Sequence, residues 1–320
     1  MAAMAAPAVE QAFERHRPFL WGFLYRLTGD AADADDLVQE TFVRALRRPP
    51  AGGAGSIRPW LVKVALNLGR DHLRRRRRQR YLGPWLPAPL ATGEEDEPPA
   101  FDPPDPEGGP GARYERLESV SMAFLLALEA LTPTQRAVLL LRDVFDYSVR
   151  ETAAALEVSE ANVKTTHLRA RRALAAYDRD RRRPTPEARR QAAQVLGRFL
   201  SCLAEGDAAG LEALLADGVR ALSDGGREFS AARRPVVGRD NVARLLLGLA
   251  AKAEGRARPA LRTLNGWPAA VVEFTPRRTG FAPRSTLQLE LDAAGRVARV
   301  YSVLVPRKLA GLAPRSGVWA

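Results

Sequence analysis

The chain has 320 residues, room for two or three domains of ordinary size, and its 46% apolar content is enough for ordinary cores. Basic side chains exceed acidic ones to leave a formal net charge of +12, an excess that favours polyanionic partners, nucleic acid above all. One cysteine, Cys202, excludes an intramolecular disulfide. No apolar run reaches the ~18 residues of a membrane span, and the N-terminal stretch lacks a signal-peptide pattern, so a cytoplasmic protein with no membrane partner is expected.

Residues 10–81 are predicted to form the first domain. "DADDLVQETFVRAL" has helical periodicity, with Asp33, Asp36 and Glu40 three or four apart on one face and Leu37, Val38, Thr41, Phe42 and Ala45 as the buried stripe. A Gly-rich loop, Pro49 to Pro59, leads to "WLVKVALNLGRDHLRRRRRQR". There Trp60, Leu61, Val64, Leu68 and Leu73 make an apolar side, while Arg58, Lys63, Asn67, Arg70 and the run Arg74–Arg78, Arg75 included, make a polar one. An aromatic-and-asparagine surface beside a basic helix end suits unstacked bases and phosphates. The same pattern also describes a well-made amphipathic helix with a solvated tail.

Residues 82–113, "LGPWLPAPLATGEEDEPPAFDPPDPEGGPGAR", are acidic, rich in Pro and Gly and without hydrophobic period, and read as a linker. Residues 114–178 return to helical pattern. Thr132 with Pro133 and Gln135, and Ser148 with Glu151, form capping-box signatures, and Ser159 is placed to cap "EANVKTTHLRARRAL". Helix, short turn, helix is the helix-turn-helix pattern, whose second helix enters the major groove. Val163, Ala170, Leu174 and in part Leu168 are predicted to face inward. Asn162, Lys164, Thr165, His167, Arg169, Arg171 and Arg172 are left to face outward or sideways. Residues 179–187, with two prolines, read as a second joint.

Residues 188–320 begin helical, through 188–205 to a stop near Gly206, and end in strands with turns at Asn265-Gly266 and Ala294-Gly295. The order suggests an α+β cone with a sheet around an apolar pocket. This stretch contains no histidine. Asp224, Asp240 and Glu273 are conceivable bases, but each reads more simply as a turn or surface residue, so no enzyme activity, cofactor or metal is expected.

The first two helical blocks together resemble the extracytoplasmic-function (ECF) sigma factors of bacterial RNA polymerase. The stretches that carry it are "DADDLVQETFVRAL", "IRPWLVKVALNLGRDHLRRRRR" and "LTPTQRAVLLLRDVFDYSVRETAAALEVSEANVKTTHLRARRAL". The resemblance implies that the first domain grips the clamp of the polymerase's largest subunit and melts the −10 element, and that the second reads the −35 element of promoter DNA. It places Asp36, Gln39, Glu40 and Phe42 on the core-binding helix. The −10 contacts fall on the loop Pro49–Pro59 and on Arg58, Trp60, Lys63, Asn67, Arg70, Arg74 and Arg75. The −35 contacts fall on Asn162, Lys164, Thr165, His167, Leu168, Arg169 and Arg172. Where members often carry Ser-Arg, this chain has Thr165-Thr166.

The last block, through "GDAAGLEALLADGV", "SDGG" and "NGWPAAVV", resembles the SnoaL-like (nuclear-transport-factor-like) domain that one subgroup of these factors carries. "YLGPWLPAP" resembles a linker motif of that subgroup, with Ala88 where glutamate is common. The resemblance implies a regulatory domain that docks on the sigma domains in cis, with Trp85, Leu86 and Pro87 of the linker and Asp224, Gly225 and Gly226 as interdomain regulatory residues. No anti-sigma partner is specified. Two other readings stay open at this point: a ligand-responsive operator-binding regulator, and a cone enzyme with a DNA-binding adaptor. Only the initiation factor gives the "DLVQETF…WLVKVALNL" block a task.

Overall fold

The computed structural model of the chain describes residues 6–48, 57–79, 81–93, 115–253, 255–275 and 281–312. Most of the Gly-rich loop (49–56) and the acidic stretch 94–113 lie outside the described residues. The chain divides into two compact units. Unit one comprises Met1–Arg80, Asp96–Val120 and Phe124–Arg179; unit two comprises Tyr81–Glu95, Ser121–Ala123 and Asp180–Ala320.

Unit one is helical. Helices α1 (Ala6–Thr28), α2 (Ala31–Arg47) and α3 (Ile57–Arg78) form a first bundle. Asp30 starts α2, its carboxylate accepting from the amides of Ala32 (3.0 Å) and Asp33 (3.3 Å). Helix α3 lies so close to α1 that a Cβ on Gly69 would collide with a methyl of Leu27. The second bundle follows: α4 (Met122–Ala127), α5 (Pro133–Asp143), α6 (Val149–Leu156), α7 (Glu160–Ala173) and α8 (Ala175–Asp180). Both capping boxes form as the sequence predicts, Thr132 with Gln135 and Ser148 with Glu151, and the Ser159 hydroxyl accepts from the Asn162 amide.

The two bundles pack on each other through buried arginines. Arg26, wholly buried, donates to Ser119 Oγ (2.7 Å), and Arg136 donates to the carbonyls of Leu27 (2.9 Å) and Leu128 (2.7 Å). Glu129 binds Arg136 (2.7 Å) and Arg76 (2.6 Å), while Arg76 also donates to Thr28 O (2.6 Å). Burial by itself would raise the Glu129 carboxyl, but the two guanidiniums outweigh it and hold its pKa below the ordinary value.

Unit two is α+β. Helices α9 (Pro186–Glu205) and α10 (Ala208–Leu214) precede β1 (Leu215–Asp224) and β2 (Val236–Val237). Then come α11 (Arg239–Ala253), β3 (Ala257–Leu264), β4 (Trp267–Phe274), β5 (Arg284–Leu291), β6 (Val297–Val303) and α12 (Pro306–Leu309). The sheet order is β2-β1-β6-β5-β4-β3, with β1 parallel to β6 and all other pairs antiparallel. Helix α9 ends at Gly206 in the left-handed region, and Asn265-Gly266, both at positive φ, make the tight β3–β4 turn.

Strand alternation gives the sheet two faces. On one, Leu196, Phe199, Leu211, Val242 and Leu246 from the helices meet Val219, Ala270, Leu289 and Val297. These side chains fill the interior that the sequence suggested as an apolar pocket. The opposite face carries Asp224, Tyr301, Gln288 and Thr286, all buried. Residues 81–93, read from sequence as part of a linker, run here as a strap. Leu86 and Ala88 are 0% and 1% exposed, the amide of Leu90 donates to Asn265 Oδ1 (3.0 Å), and Ala91 forms a β-bridge with Leu264. Proline-rich sequence looks like a tether, yet Pro and Ala cost little side-chain entropy to bury, and the sheet supplies partners for the amides.

Candidate nucleic-acid interface

Helix α7 is held to α5 by one carboxylate. Asp143, 2% exposed at the end of α5, receives His167 Nε2 (2.9 Å) and both Nε (3.1 Å) and Nη2 (2.7 Å) of Arg171. Burial alone would raise the Asp143 pKa; the hydrogen bonds and charges of His167 and Arg171 outweigh it and lower it. His167, expected from sequence as a −35 contact, has its imidazole turned inward to this buried acid. An aspartate at a helix C-terminus opposes the helix dipole; that was the signal in the sequence that cations must meet it. Val163, Ala170 and Leu174 are buried as predicted, but Leu168 is 51% exposed. Asn162, Lys164, Thr165, Leu168, Arg169 and Arg172 thus share solvent on the side left open.

On α2, Asp36 and Gln39 are exposed and Glu40 is half-buried, with an exposed i,i+4 pair to Arg44 (2.8 Å). Phe42 is not available to a partner. It is 5% exposed and packs edge-on against Phe13 (centroids 4.8 Å apart), on the buried stripe that the helical pattern gave it. Val43 (37% exposed) and Leu46 (56% exposed) are the large apolar side chains of α2 open to solvent; both lie off the buried stripe, and that off-stripe position was readable in the helical pattern. Asp33 is also turned inward, 2.9 Å from His72.

On α3, Trp60, Lys63, Asn67 and Arg70 are half-buried and Arg74 and Arg75 exposed. Arg58 lies over the Phe19 ring, 5.0 Å from its centroid. The second bundle occupies part of this face: Lys63 pairs with Glu157 (2.7 Å), and Arg70 donates to Thr134 Oγ1 (3.2 Å). Within the arginine run, Arg76 binds Glu129 and Arg77 donates to Leu131 O. The run is thus divided between packing and solvent, which its uniform sequence conceals.

The strap meets unit two at Asp224. This aspartate is 0% exposed, not the surface turn residue its sequence suggested. It accepts from Tyr81 OH (2.5 Å), Leu86 N (2.9 Å), Gly226 N (3.1 Å) and Lys308 Nζ (2.7 Å). Lys308 also donates to Leu86 O (2.5 Å) and lies 4.3 Å from the centroid of Trp85 and 5.3 Å from that of Tyr81. One buried ion pair therefore grips both backbone groups of Leu86. A Cβ on Gly225 would stand 2.5 Å from Phe229 O, and Gly226 has φ +57°, so both glycines are required by the loop that presents the acid. Pro87 is buried beside Leu86. Sequence reasoning named the loop and the strap but did not pair Tyr81 or Lys308 with Asp224, since nothing local pairs positions this far apart. Of the other two carboxylates, Glu273 is paired with Arg284 and Asp240 is exposed.

Among the described residues no helix is long and apolar enough to cross a membrane, and no group of three or more His, Cys, Asp or Glu is placed to hold a metal.

Comparison with known proteins agrees with this geometry. Residues 12–79 match the Sigma-70 region 2 family and residues 121–174 match Sigma-70, region 4. The ECF RNA polymerase sigma factor SigJ of Mycobacterium tuberculosis is 33% identical over 306 residues, spanning 93% of this chain and 92% of SigJ. SigG of the same species is 37% identical over 200 residues, 58% of this chain and 54% of SigG. The crystal structure of the Mycobacterium tuberculosis extracytoplasmic function sigma factor SigJ superposes with a TM-score of 0.71 at 28% identity, covering 94% of this chain and 98% of that one. The chain belongs to the ECF RNA polymerase sigma factor family.

Proposed function

We propose that the exposed side of α2, through Asp36, Gln39, Glu40, Val43 and Leu46, is the surface that docks on core polymerase. The polar side of α3, through Arg58, Trp60, Lys63, Asn67, Arg70, Arg74 and Arg75, holds the −10 element, and α7 reads the −35 duplex with Asn162, Lys164, Thr165, Leu168, Arg169 and Arg172. Residues 10–81 and 114–178 are the two sigma domains, and 188–320 a SnoaL-like domain that modulates them in cis in the cytoplasm. Trp85, Leu86 and Pro87 on the strap, with Asp224, Gly225, Gly226 and Lys308, form the control point.

The carrying observation is the orientation of α7. Asp143 ties down His167 and Arg171 on one side, which leaves Lys164, Arg169 and Arg172 exposed on the other. A binding role for unit two, rather than catalysis, is supported by Asp224: four donors occupy its carboxylate, so it has no lone pair to spare for a substrate proton. Lys63 and Arg70 are engaged by the second bundle, so full contact of α3 with DNA requires Glu157 and Thr134 to move away.

Run-off transcription with purified core polymerase tests the assignment, with the upstream regions of the chain's own and neighbouring genes as templates. The full chain is expected to produce a transcript that needs both core and protein, and Lys308→Met to change its yield without abolishing core binding. Sequence-specific duplex binding without any association with core would replace this reading by the operator-binding regulator.

A further inference from the structure

The base-reading half of α7 is poorer in hydrogen-bonding groups than its sequence suggests. Thr165 Oγ1 donates back to the carbonyl of Ala161 (3.0 Å), one turn earlier, so its proton is spent within the helix and it offers a base only an acceptor lone pair and its methyl. Thr166 Oγ1 donates to Asn162 Oδ1 (3.1 Å), which competes with the two-point grip on adenine that needs this oxygen as an acceptor. Leu168 stands 51% exposed on the same side. Ala161, Thr165 and Leu168 follow one another at i, i+4 and i+7 and are all exposed, so they line one face. Lys164 and Arg169 flank that line with positive charge, and Arg172, one turn beyond Leu168, continues it; all three are exposed.

An apolar line bordered by cations suits one feature of duplex DNA. In the major groove thymine presents a C5 methyl group, the only methyl among the four bases there, while the phosphates on either side take the cations. We propose that the Leu168 side chain and the Thr165 methyl are specificity determinants that read thymine C5 methyls in the −35 duplex. The inference rests on α7 being the −35 helix and adds the chemistry it recognises. Arg169 and Arg172 hold the phosphates and set the register; Leu168 and Thr165 choose the base.

The test uses full-length protein with core polymerase. Active promoters are selected from a duplex pool randomised across the −35 region. Each −35 thymine of a recovered promoter is then replaced singly by deoxyuridine, which removes only the methyl. At least one replacement is expected to weaken holoenzyme binding by roughly fourfold, the worth of one buried methyl. Leu168→Ala should bind that promoter more weakly and no longer respond to the replacement. Thr165→Ser, which keeps the hydroxyl bond to Ala161, should respond less at a neighbouring thymine. Leu168 is exposed, so the folding of the variant is checked simply by its unfolding temperature. Recovered promoters without −35 thymine, indifference of the parent chain to every replacement, or unchanged sensitivity in both variants would each overturn the proposal. A pool that returns no active promoter removes the initiation reading itself, and this inference with it.

Discussion

Asp224 and Lys308 form an ion pair that water does not reach, 0% and 7% exposed. Removing one member of such a pair leaves the other charge buried, at a cost of about 3–5 kcal/mol. Lys308→Met should lower the unfolding temperature of the chain, whereas Asp224→Ala, which removes the acceptor of the Leu86 amide, should also free that amide to exchange. The double variant Asp224→Asn, Lys308→Met should lose less than the sum of the single losses, because neither charge is left alone. Equal, additive losses would show that the pair does not act as a unit. Glu129 makes a different prediction. Its pKa is depressed in the folded chain, so it contributes stability that is complete above the ordinary carboxyl value of 4.5 and lost as pH falls through the lower folded value. Between about pH 5 and about pH 3, Glu129→Gln should flatten the acid side of the unfolding profile. Asp143, depressed by His167 and Arg171, should act in the same direction. At this scale the sequence showed which residues carry charge and that Phe42 lies on the buried stripe, but not that His167 and Asp224 point inward. A helical period separates faces; it does not say which neighbour will cover each face.

The caps are where element and sequence agree most closely. Ser148 and Glu151 bond each other's backbone amides (3.1 and 2.7 Å), and four consecutive positions are enough to specify that geometry. Ser148→Ala should cost about 1 kcal/mol in denaturant unfolding and should weaken promoter binding as well, since α6 supports α7. The strap is the opposite case. Its amides are satisfied by Asp224, Asn265 and the Thr263 carbonyl, so Leu86, Leu90 and Thr92 should exchange hydrogen far more slowly than a Pro-rich linker would. Fast exchange at these three amides would mean the strap does not rest on the sheet. Composition alone made the segment a tether, because its partners lie more than a hundred residues away.

For the whole molecule, the assignment of the strap to unit two changes what a truncation measures. A chain ending near Arg183 keeps Leu86 and Ala88 but loses the sheet that buries them. It should associate or bind apolar dyes more than the full chain, which size-exclusion chromatography would detect, so point variants at Lys308 report regulation more cleanly. Within unit one, the Lys63–Glu157 contact offers a direct test of opening. With Cys202 replaced by Ser, a reducible thiol crosslinker joining Lys63→Cys to Glu157→Cys should block open-complex formation, and reductant should restore it to the level of the uncrosslinked pair. Transcription unaffected by the crosslink would show that the bundles need not separate.

Local chemistry was sufficient for the capping boxes and the Asn265-Gly266 turn, since each rests on residues within a few positions of one another, while the sigma-like character of the first two blocks came from their resemblance to a family over their whole length. Tertiary structure alone decided which charges are consumed in packing. The run Arg74–Arg78 is uniform in sequence, yet Arg76 and Arg77 bind the second bundle while Arg74 and Arg75 remain exposed. It also decided that a proline-rich linker becomes a strap gripped by Asp224 and Lys308. The reason is the same in both cases: a buried polar group must find a partner, and that partner is supplied by another part of the fold.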